Sequence, residues 1–436
     1  MGRLPQASCP VPVVIEVRED SHTKWNFMVI TADATCYIGA LAFMEASAVL
    51  PIFVRTLTDS TVIIGLLITI QRAGWLLPQL AAASFLHHRP RKKPFLLLVA
   101  TVGRLPFAPL AVLIYFLAKP NPALVLWLLG LSYAVFWATD GMSIVPWNDI
   151  IAKSIPPTLR GRLFGAQQFL GAGIAIGAGE VVRRALGQGG IDYPANYALL
   201  FAIMFTGLML SSFFLSLVRE PIRPVAAEPL NIAQLLRMIP RAWRERRDFR
   251  RMIKTQLLTS IGPIAIPFYV IYAETRLGAP AWTSGVFVWG GTIGGIVGSL
   301  AWAYLSDCRG SVRVIRGVCW LGFFGPIAAI AVPLLGLPVP ALYYAYAVVF
   351  AVTAAAGGGS WIGFTNYLLE IAGEEERAAL LGITPTLLAP MVMMPVIGGW
   401  LLKIIPYEAV FAVAAAGGLF GWFASRKLRE PRSTQP

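Results

Sequence analysis

Five charged side chains lie inside long apolar stretches of the sequence, where a charge is costly. They are Asp33, Glu45, Arg72, Arg104 and Asp140. Inside a bilayer a charge costs a few kcal/mol unless it has a partner, a water-filled cavity or a function. We therefore interpret Asp33, Asp140 and Arg72 as a cluster that takes up and releases a proton. The alternative is that Arg72 or Arg104 permanently neutralises one of the carboxylates as a structural pair.

Amide and aromatic side chains in the other apolar stretches are candidates for contacts with a ligand. Gln167 and Gln168 need hydrogen-bond partners inside an apolar segment, and a ligand or a neighbouring helix can supply them. Tyr269, Trp361 and Asn366 are the candidates in the second half of the chain, with Tyr269 the best of them. Such residues serve more often as membrane-interface anchors or as packing groups, and both interpretations stay open.

Residue types that carry out catalysis or bind metals are scarce. The three histidines, His22, His87 and His88, lie outside the apolar stretches, and the sequence shows no Ser/His or carboxylate/His arrangement. The four cysteines have no CxxC spacing, so neither a disulfide framework nor a metal site is expected. The sequence predicts no cofactor, no metal and no enzymatic activity.

The composition excludes a soluble protein. Hydrophobic residues make up 57% of the chain and charged residues 13%, and the mean hydropathy is +0.67. A soluble domain carries roughly a quarter charged residues, because it must cover its surface. The net charge of +14 would suggest nucleic-acid binding in a soluble protein, but here the cations lie in short segments between apolar runs. That distribution indicates membrane topology and no nucleic-acid partner.

Twelve apolar runs are long enough to cross a lipid bilayer. A helix needs about 20 mostly apolar residues to span roughly 30 Å of hydrocarbon with its backbone groups bonded internally. At 1.5 Å per residue, Arg72 and Arg104 lie roughly 18 Å and 15 Å from the ends of their runs, near the midplane. We number the predicted spans 1 to 12: 26–50, 60–86, 94–118, 123–146, 163–182, 196–218, 252–273, 283–305, 314–335, 339–363, 379–402 and 407–425.

Cations collect in the loops on one side of these spans. Cytoplasmic loops retain Lys and Arg, whereas translocated loops lose them, which places both termini in the cytoplasm. The pattern predicts an integral, multi-pass protein of the plasma (inner) membrane, and no cleavable signal peptide is seen. The cations behind this prediction are Arg89, Arg91, Lys92 and Lys93 after span 2, Lys153, Arg160 and Arg162 after span 4, and Arg426, Lys427, Arg429 and Arg432 in the tail.

The chain divides into five segments on this pattern. In the middle, apolar residues of 230–239 recur at helical spacing within a basic stretch, which predicts an amphipathic helix on the membrane surface. A nucleic-acid or calmodulin-type partner is the alternative, but basic linkers ordinarily face anionic lipid. The predicted segments are a cytoplasmic tail (1–25), a six-helix bundle (26–218), a cytoplasmic linker (219–251), a second six-helix bundle (252–425) and a cytoplasmic tail (426–436).

Corresponding loops of the two halves match at an offset of half the chain. Two copies of six helices with the same orientation form a parallel repeat about an axis along the membrane normal. The matches are Asn148 with Asn366 at an offset of 218 residues, and Arg160, Leu163 and Gly165 with Arg377, Leu380 and Gly382 at 217.

The loop after span 8 resembles a family signature. It reads YLSDCRGSVR, which is similar to the GxxxDRxGRR motif of the major facilitator superfamily. Gly310 permits a tight turn, and Asp307 can pair with Arg309, Arg313 or a neighbouring helix end, forming a latch that holds one conformation closed. The equivalent loop after span 2 keeps the cations but has His and Pro in place of the Asp and Gly.

The resemblance implies a fold and a class of function. The fold is an all-α membrane protein of about 12 transmembrane helices, in two six-helix halves related by pseudo-two-fold symmetry. The function is that of a monomeric secondary active transporter, which moves a small solute by alternating access with H⁺ as a candidate coupling ion. Helices 1, 4, 7 and 10 line the central cavity in this family, which makes Asp33, Glu45 and Asp140 cavity candidates. The alternative is a lipid or amphipathic-molecule flippase or exporter in the same fold.

Overall fold

The protein is all-α throughout the residues that its structure describes. A computed structural model describes residues 21–86, 89–187, 189–221, 240, 243–372 and 377–431, and within these ranges it contains helices and no strand. Helical segments occupy all twelve predicted spans, and nine of those described are long and apolar enough to cross a membrane by length and composition. The protein is therefore a multi-pass integral membrane protein. The predicted amphipathic helix at 230–239 lies outside the described residues.

Spans 1, 2 and 5 fall outside those nine for local reasons. The first helix of span 1, Ser21–Ala42, has 22 residues but includes polar and charged side chains such as Asn26 and Asp33, and the first helix of span 2 ends at Leu76 after 16 residues. Span 5 is a continuous helix of 29 residues, but charged and amide side chains lower its hydropathy.

The observed helices are longer than the predicted spans in several places and are interrupted in others. In the first half, span 1 is Ser21–Ala42 and Val49–Leu57, span 2 is Thr61–Leu76 and Pro78–Leu86, span 3 is Lys93–Arg104 and Phe107–Leu117, span 4 is Pro122–Ser154, span 5 is Pro157–Ala185 and span 6 is Ala195–Ser216. In the second half, span 7 is Arg247–Thr259 and Phe268–Leu277, span 8 is Thr283–Arg309, span 9 is Ser311–Ala331, span 10 is Ala341–Ile371, span 11 is Arg377–Leu388 and Met394–Leu401, and span 12 is Tyr407–Ser425.

We name the two sides of the bundle by their loops. The terminal face is the side on which span 1 begins and span 12 ends. The opposite face holds the loops that follow the odd-numbered spans, including 58–60, 278–282 and 402–406.

Spans 1 and 7 are interrupted at corresponding places in the two halves. Span 1 stops at Ala42 and resumes at Val49, while span 7 stops at Thr259 and resumes at Phe268. Non-helical backbone at membrane depth is tolerated only where protein or a water-filled cavity surrounds it. The paired interruptions therefore mark a protein-lined region between the halves. The sequence predicted an uninterrupted span 1, and that prediction was wrong.

The two interruptions have different local causes. In span 7, Pro263 and Pro267 lack the backbone N–H that a continuing helix needs. Span 1 has no proline in its gap, and here the side chain of Glu45 accepts hydrogen bonds from the backbone N–H and the hydroxyl of Ser47, both at 2.8 Å. The Glu45 carboxylate thus accepts a hydrogen bond from a backbone N–H group that would otherwise bond to a carbonyl within a helix.

Spans 8 and 10 pack along a seam of small residues. Three glycines on span 8 recur every four residues, so they share one face of the helix and let the backbones approach closely. A side chain added at the central glycine would collide with the backbone of the facing residue. The pairs are Gly290 with Ala347, Gly294 with Ala351 and Gly298 with Ala355.

A repeated Arg-Glu-Pro sequence fastens the last helix of each half to its third helix. Glu220, after span 6, accepts hydrogen bonds at 2.9 Å from the backbone N–H groups of Lys92 and Lys93, where span 3 begins. Glu430, after span 12, accepts a 3.2 Å hydrogen bond from the N–H of Val312, where span 9 begins. A carboxylate at a helix N-terminus satisfies unbonded N–H groups and complements the helix dipole. Each half therefore has the same carboxylate cap at its terminal face.

Removing either cap should destabilise its half of the protein. We expect Glu220→Ala and Glu430→Ala each to lose about 1.5–3 kcal/mol, because each deletes hydrogen bonds to a charged acceptor. Because the caps lie in different halves, their effects should add in the double variant. The measurement is a lower Tm in detergent, with Asp59→Ala as the control, since the side chain of Asp59 is 96% exposed. Equal Tm values for all variants would contradict the capping role.

Candidate functional site

A cavity of about 580 Å³ lies between the two halves. Its first-half wall comes from spans 1, 2 and 4, and its second-half wall from spans 7, 8 and 10. Both interrupted spans reach it, through Glu45 and Ser47 of span 1 and Ile266 of span 7. The aromatic lining residues are Trp75, Trp137, Phe287 and Phe350, and the polar ones include Gln71, Arg72, Thr292 and Thr353.

Arg72 is the cation of this cavity. It also lines an adjoining cavity of about 280 Å³, together with Ser260 and Tyr269 of span 7. Among the described residues, no carboxylate lies within ion-pair distance of Arg72, and the guanidinium has no hydrogen-bond acceptor there. A buried guanidinium normally has partners for its five N–H donors. Arg72 therefore presents an unused charge and unused donors to the space between the halves.

Glu45 is the carboxylate of the same cavity. One of its oxygens is occupied by the two hydrogen bonds from Ser47 in the interruption of span 1. Its charge and that of Arg72 line one cavity without forming an ion pair. The site thus holds two opposite charges that remain separate.

Tyr269 lines the adjoining cavity, but most of its side chain is buried in the second half. Its ring packs 4.9 Å from the ring of Phe411, and its backbone carbonyl accepts a 3.1 Å hydrogen bond from the hydroxyl of Tyr346. The structure therefore shows both a packing role and a position at the cavity wall.

A second group of charges is buried within the first half. The carboxylate of Asp33 accepts hydrogen bonds from the hydroxyl of Ser211 at 2.5 Å and from the indole N–H of Trp147 at 3.2 Å. Arg104 donates to the carbonyl of Leu208 at 2.8 Å and to the hydroxyl of Ser212. Asp33 is 4% exposed and Arg104 5% exposed. Spans 1, 3, 4 and 6 together enclose this cluster.

Asp140 belongs to the same buried group. The guanidinium of Arg104 lies 5.7 Å from the ring centre of Tyr37, whose hydroxyl lies beside the Asp140 carboxylate. Arg104 is close enough to act electrostatically on both Asp33 and Asp140. Two carboxylates thus share one arginine, and Tyr37 lies beside both Arg104 and Asp140.

The sequence grouped Arg72 with Asp33 and Asp140 in the proposed coupling cluster, and it left Arg72 or Arg104 as the alternative structural partner of either carboxylate. In the structure Arg104 accompanies these carboxylates, and Arg72 lies in the cavity between the halves. The depths of the two arginines along their spans are similar, so depth could not decide between them. The rotation of each helix about its axis decides which neighbour a side chain meets, and hydropathy does not determine that rotation.

The remaining candidates lie elsewhere. Gln167 is buried and donates a 3.3 Å hydrogen bond to the carbonyl of Ile30, whereas Gln168 is exposed. Trp361 is 68% exposed, and its ring meets Trp75 across the two halves at 6.4 Å. Asn366 donates a 3.0 Å hydrogen bond to the hydroxyl of Ser306. Gln167 and Asn366 therefore join helices, and only Trp361 touches a residue of the cavity wall.

The loop after span 8 has the predicted tight turn, with further acidic partners. Gly310 adopts φ +89°, which favours glycine, and it separates spans 8 and 9. Arg313 donates to the carbonyl of Arg309 at 2.9 Å. The hydroxyl of Ser311 donates to the Glu370 carboxylate at 2.6 Å, and Glu430 lies against Gly310. The predicted latch residues Asp307, Arg309, Gly310 and Arg313 thus sit where span 9 is capped by Glu430.

Two findings concern cysteine and metal chemistry. Cys308, beside this turn, is disulfide-bonded, which the cysteine spacing did not predict, whereas Cys36 and Cys319 are free thiols. Within the ranges that the structure describes, no three His, Cys, Asp or Glu side chains are grouped to hold a metal ion.

The two halves meet at the opposite face, and the sequence did not indicate these contacts. Arg55, at the end of span 1, lies 3.7 Å from the carboxylate of Glu274 in span 7. The hydroxyl of Thr61, at the start of span 2, donates a 2.7 Å hydrogen bond to the carbonyl of Gly399 in span 11. These contacts join the two halves on the side of the central cavity that faces the opposite face.

Spans 5 and 8 make a second contact between the halves on this side, through a tryptophan and two glycines. The indole N–H of Trp289 in span 8 donates a 2.8 Å hydrogen bond to the carbonyl of Ile176 in span 5. Gly179 and Gly285 lie so close that a side chain at either would collide with the other helix. Further along, a side chain at Gly65 would collide with the backbone of Pro395. Polar side chains, backbone carbonyls and small residues therefore close this face together.

Solved structures with the same architecture cover nearly the whole chain. A bacterial homologue of the iron transporter ferroportin in its inward-facing state aligns with a TM-score of 0.68 at 12% identity, covering 94% of this chain and 99% of that one. The chain has the major facilitator fold. The D-xylose-proton symporter aligns with a TM-score of 0.66 at 15% identity, over 95% of this chain and all of the symporter. The nucleoside transporter NupG aligns with a TM-score of 0.62 at 14% identity, over 94% and 99%.

Similarity in sequence to known proteins covers less of the chain than similarity in structure does. No protein-family model matches the chain. Uncharacterized proteins of Mycobacterium tuberculosis and Mycobacterium bovis are 26% identical over 322 residues, which is 70% of this chain. The match spans only 60% of the length of these curated relatives.

Proposed function

We propose that this protein is a secondary active transporter that moves a small solute by alternating access. The observation that carries this proposal is the cavity between the halves, which both interrupted spans line and which cross-half contacts close at the opposite face. Its volume of about 580 Å³ falls within the usual range for small-molecule sites. The structural neighbours named above include transporters of iron, nucleosides and D-xylose with protons, which supports the class of function without choosing a solute.

The moving bodies in this proposal are the two six-helix bundles, 26–218 and 252–425. Each has its own carboxylate cap and its own packed seams, so each can rotate without repacking its interior. One wall of the cavity belongs to each bundle, so a monomer is a sufficient working unit. Rocking these bundles would open the cavity to one face at a time.

In this proposal the terminal face is cytoplasmic. The basic loops after spans 2 and 4 and the basic tail support this orientation. The closed opposite face would then be external, and the conformation would be inward-facing. In support, the ferroportin homologue aligns with a TM-score of 0.68 in its inward-facing state but 0.56 in an outward-facing state.

The buried charges of the first half supply candidate coupling groups. Asp33 and Asp140 share Arg104, so a proton on either carboxylate would change the charge of the whole cluster. Spans 1 and 4 carry these carboxylates, and the same spans line the central cavity through Glu45 and Trp137. Protonation of the cluster would therefore act on the same helices that surround a solute, and so would shift the balance between their conformations.

A flux experiment tests the proposal. Purified protein in proteoliposomes is preloaded with a library of unlabelled solutes, and counterflow of each labelled solute is measured with and without a pH gradient. We expect saturable counterflow of at least one solute. A second assay on the same vesicles measures the movement of a fluorescent phospholipid between the two leaflets. Movement of lipid with no counterflow of any solute would replace the proposal by a lipid flippase.

Fixing the opposite face closed should stop transport. We expect the pair Arg55→Cys and Glu274→Cys, in a chain whose native cysteines are serine, to lose transport after treatment with a flexible, reducible thiol cross-linker. The native side chains lie 3.7 Å apart across the halves, so the cross-link would prevent their separation. Reduction should restore the activity.

The matched control joins two residues within one half. Lys92 and Asp149 form a 3.1 Å ion pair inside the first bundle, so cross-linking Lys92→Cys to Asp149→Cys should leave transport unchanged. Full activity of the cross-linked Arg55/Glu274 pair would contradict alternating access through this face.

A further inference from the structure

We propose that Arg72 binds an anionic group of the transported solute, so that the solute is a small organic anion with an apolar body. This inference rests on the proposed transport function and extends it to the chemistry of the cargo.

Arg72 brings a positive charge into the space between the two halves. Among the described residues it has no ion-pair partner and no hydrogen-bond acceptor, although it lines two adjoining cavities. By contrast, the buried Arg104 uses its donors on the Leu208 carbonyl and on the hydroxyl of Ser212, whereas Arg72 is half-buried. A guanidinium held at membrane depth without protein partners is expected to face water or an anionic ligand.

Glu45 is the carboxylate that lines the same cavity as Arg72. It does not neutralise Arg72, because its side chain is turned to Ser47 in its own span. The protein thus keeps its cavity carboxylate away from the arginine. This arrangement leaves the guanidinium available to an oxygen anion from outside the protein.

The guanidinium group of Arg72 has the geometry to bind oxygen anions. Its planar fork of N–H donors matches the two oxygens of a carboxylate or of a phosphate, and bidentate pairs of this kind are strong and directional. A metal ion or an organic cation would be repelled by the same group. The unpartnered guanidinium therefore favours an anion at its own end of the cavity, while Glu45 is engaged by Ser47.

The rest of the cavity lining is mainly aromatic and apolar. Four aromatic rings, two from each half, line the larger cavity: Trp75, Trp137, Phe287 and Phe350. Thr292 and Thr353 add hydroxyl groups from the second half. Apolar and aromatic walls around one unpartnered cation are suited to a compact apolar body that carries a single anionic end.

Ligand-induced stabilisation tests the charge requirement on the full-length protein. Benzoate, phenyl phosphate and benzamide are added at millimolar concentration to the purified protein, and Tm is followed. Benzoate and benzamide have nearly the same shape and differ in charge, while phenyl phosphate separates a phosphate preference from a carboxylate preference. We expect at least one of the two anions to raise Tm in a saturable manner and benzamide to have no effect.

The variants assign the effect to one residue. Arg72→Gln should weaken anion binding by about 30-fold or more, because truncating one partner of a desolvated charge pair costs about 2 kcal/mol or more. Arg72→Lys should retain part of the affinity through its charge. Arg276→Gln is the matched control, because Arg276 is exposed at the opposite face. A single symmetric peak in size-exclusion chromatography shows that each variant is folded.

The outcomes separate this inference from the proposed function. Equal stabilisation by benzoate and benzamide, anion binding unchanged in Arg72→Gln, or no stabilisation by either anion would overturn the inference. Counterflow of a neutral or cationic solute that survives Arg72→Gln would also overturn it, while leaving the transport function in place. Anion binding through Arg72 with no counterflow of any solute would uphold the anion site at Arg72 but refute the transport function, and with it the assignment of that anion as cargo.

Discussion

Replacing Asp140 by asparagine should abolish accumulation driven by a pH gradient while leaving counterflow intact. The carboxylate of Asp140 lies beside Tyr37 and shares Arg104 with Asp33. Asparagine keeps the shape and the hydrogen-bonding capacity but cannot exchange a proton. A one-to-one proton-coupled carrier could accumulate its solute about tenfold per pH unit, since one pH unit corresponds to about 1.4 kcal/mol. The variant should accumulate none.

The measurement compares two assays on the same vesicles. Asp33→Asn should behave in the same way, because Asp33 belongs to the same cluster through Arg104. Asp59→Asn is the control, since that carboxylate is 96% exposed and lies in the loop after span 1. Accumulation at the wild-type level in both Asp33→Asn and Asp140→Asn would remove this cluster from the coupling mechanism.

Introducing leucine at Gly65 should hold the opposite face open. A side chain at this position would collide with the backbone of Pro395 in span 11, which belongs to the other half. The collision exists only while the halves are in contact, so it penalises the closed conformation and not the folded bundles. A penalty of about 2 kcal/mol, typical of overpacking, would shift the conformational equilibrium about 30-fold.

Cysteine accessibility measures this shift. Thr292→Cys lines the cavity, and a membrane-impermeant thiol reagent applied at the opposite face should label it much faster when Gly65→Leu is present. Transport should fall in parallel, because the carrier can no longer close that face. An unchanged labelling rate in a folded Gly65→Leu protein would show that the contact does not control access.

Two other glycines provide matched controls for Gly65. Gly294→Leu places the same side chain against Ala351 within the second half, so it should impair folding rather than change access. Gly130 has no heavy atom within 4 Å of an added Cβ, so Gly130→Leu should have neither effect.

The spans were predictable because hydropathy is a one-dimensional property of the chain. A helix crossing a bilayer needs one long apolar run, and each of the twelve runs became a helical segment. The interruption of span 11 was also visible, since Pro385, Pro390 and Pro395 lie within it, and the structure has a 3₁₀ segment at Ala389–Met393. The interruption of span 1 was not visible, because Glu45 and its tertiary surroundings cause it rather than proline.

The sequence identified the charged residues of the candidate site, but it did not show which of them lie next to one another. Charge at membrane depth singled out Asp33, Arg104 and Asp140, which the structure brings together, and Arg72, which it keeps apart. Partner choice depends on the rotation and tilt of helices, which packing sets. The caps had a readable signal, because the same Arg-Glu-Pro triplet ends both halves at Glu220 and Glu430.

The unpartnered guanidinium of Arg72 also bears on how an empty carrier would behave. When no solute is bound, water is the remaining source of hydrogen-bond acceptors for this group, so the vacant cavity must stay hydrated. Sealing the cavity from both faces would strip that hydration at a cost of several kcal/mol. For a carrier that works by alternating access, the empty form would therefore reorient slowly and the loaded form quickly. Exchange of one solute molecule for another would then outpace net flux.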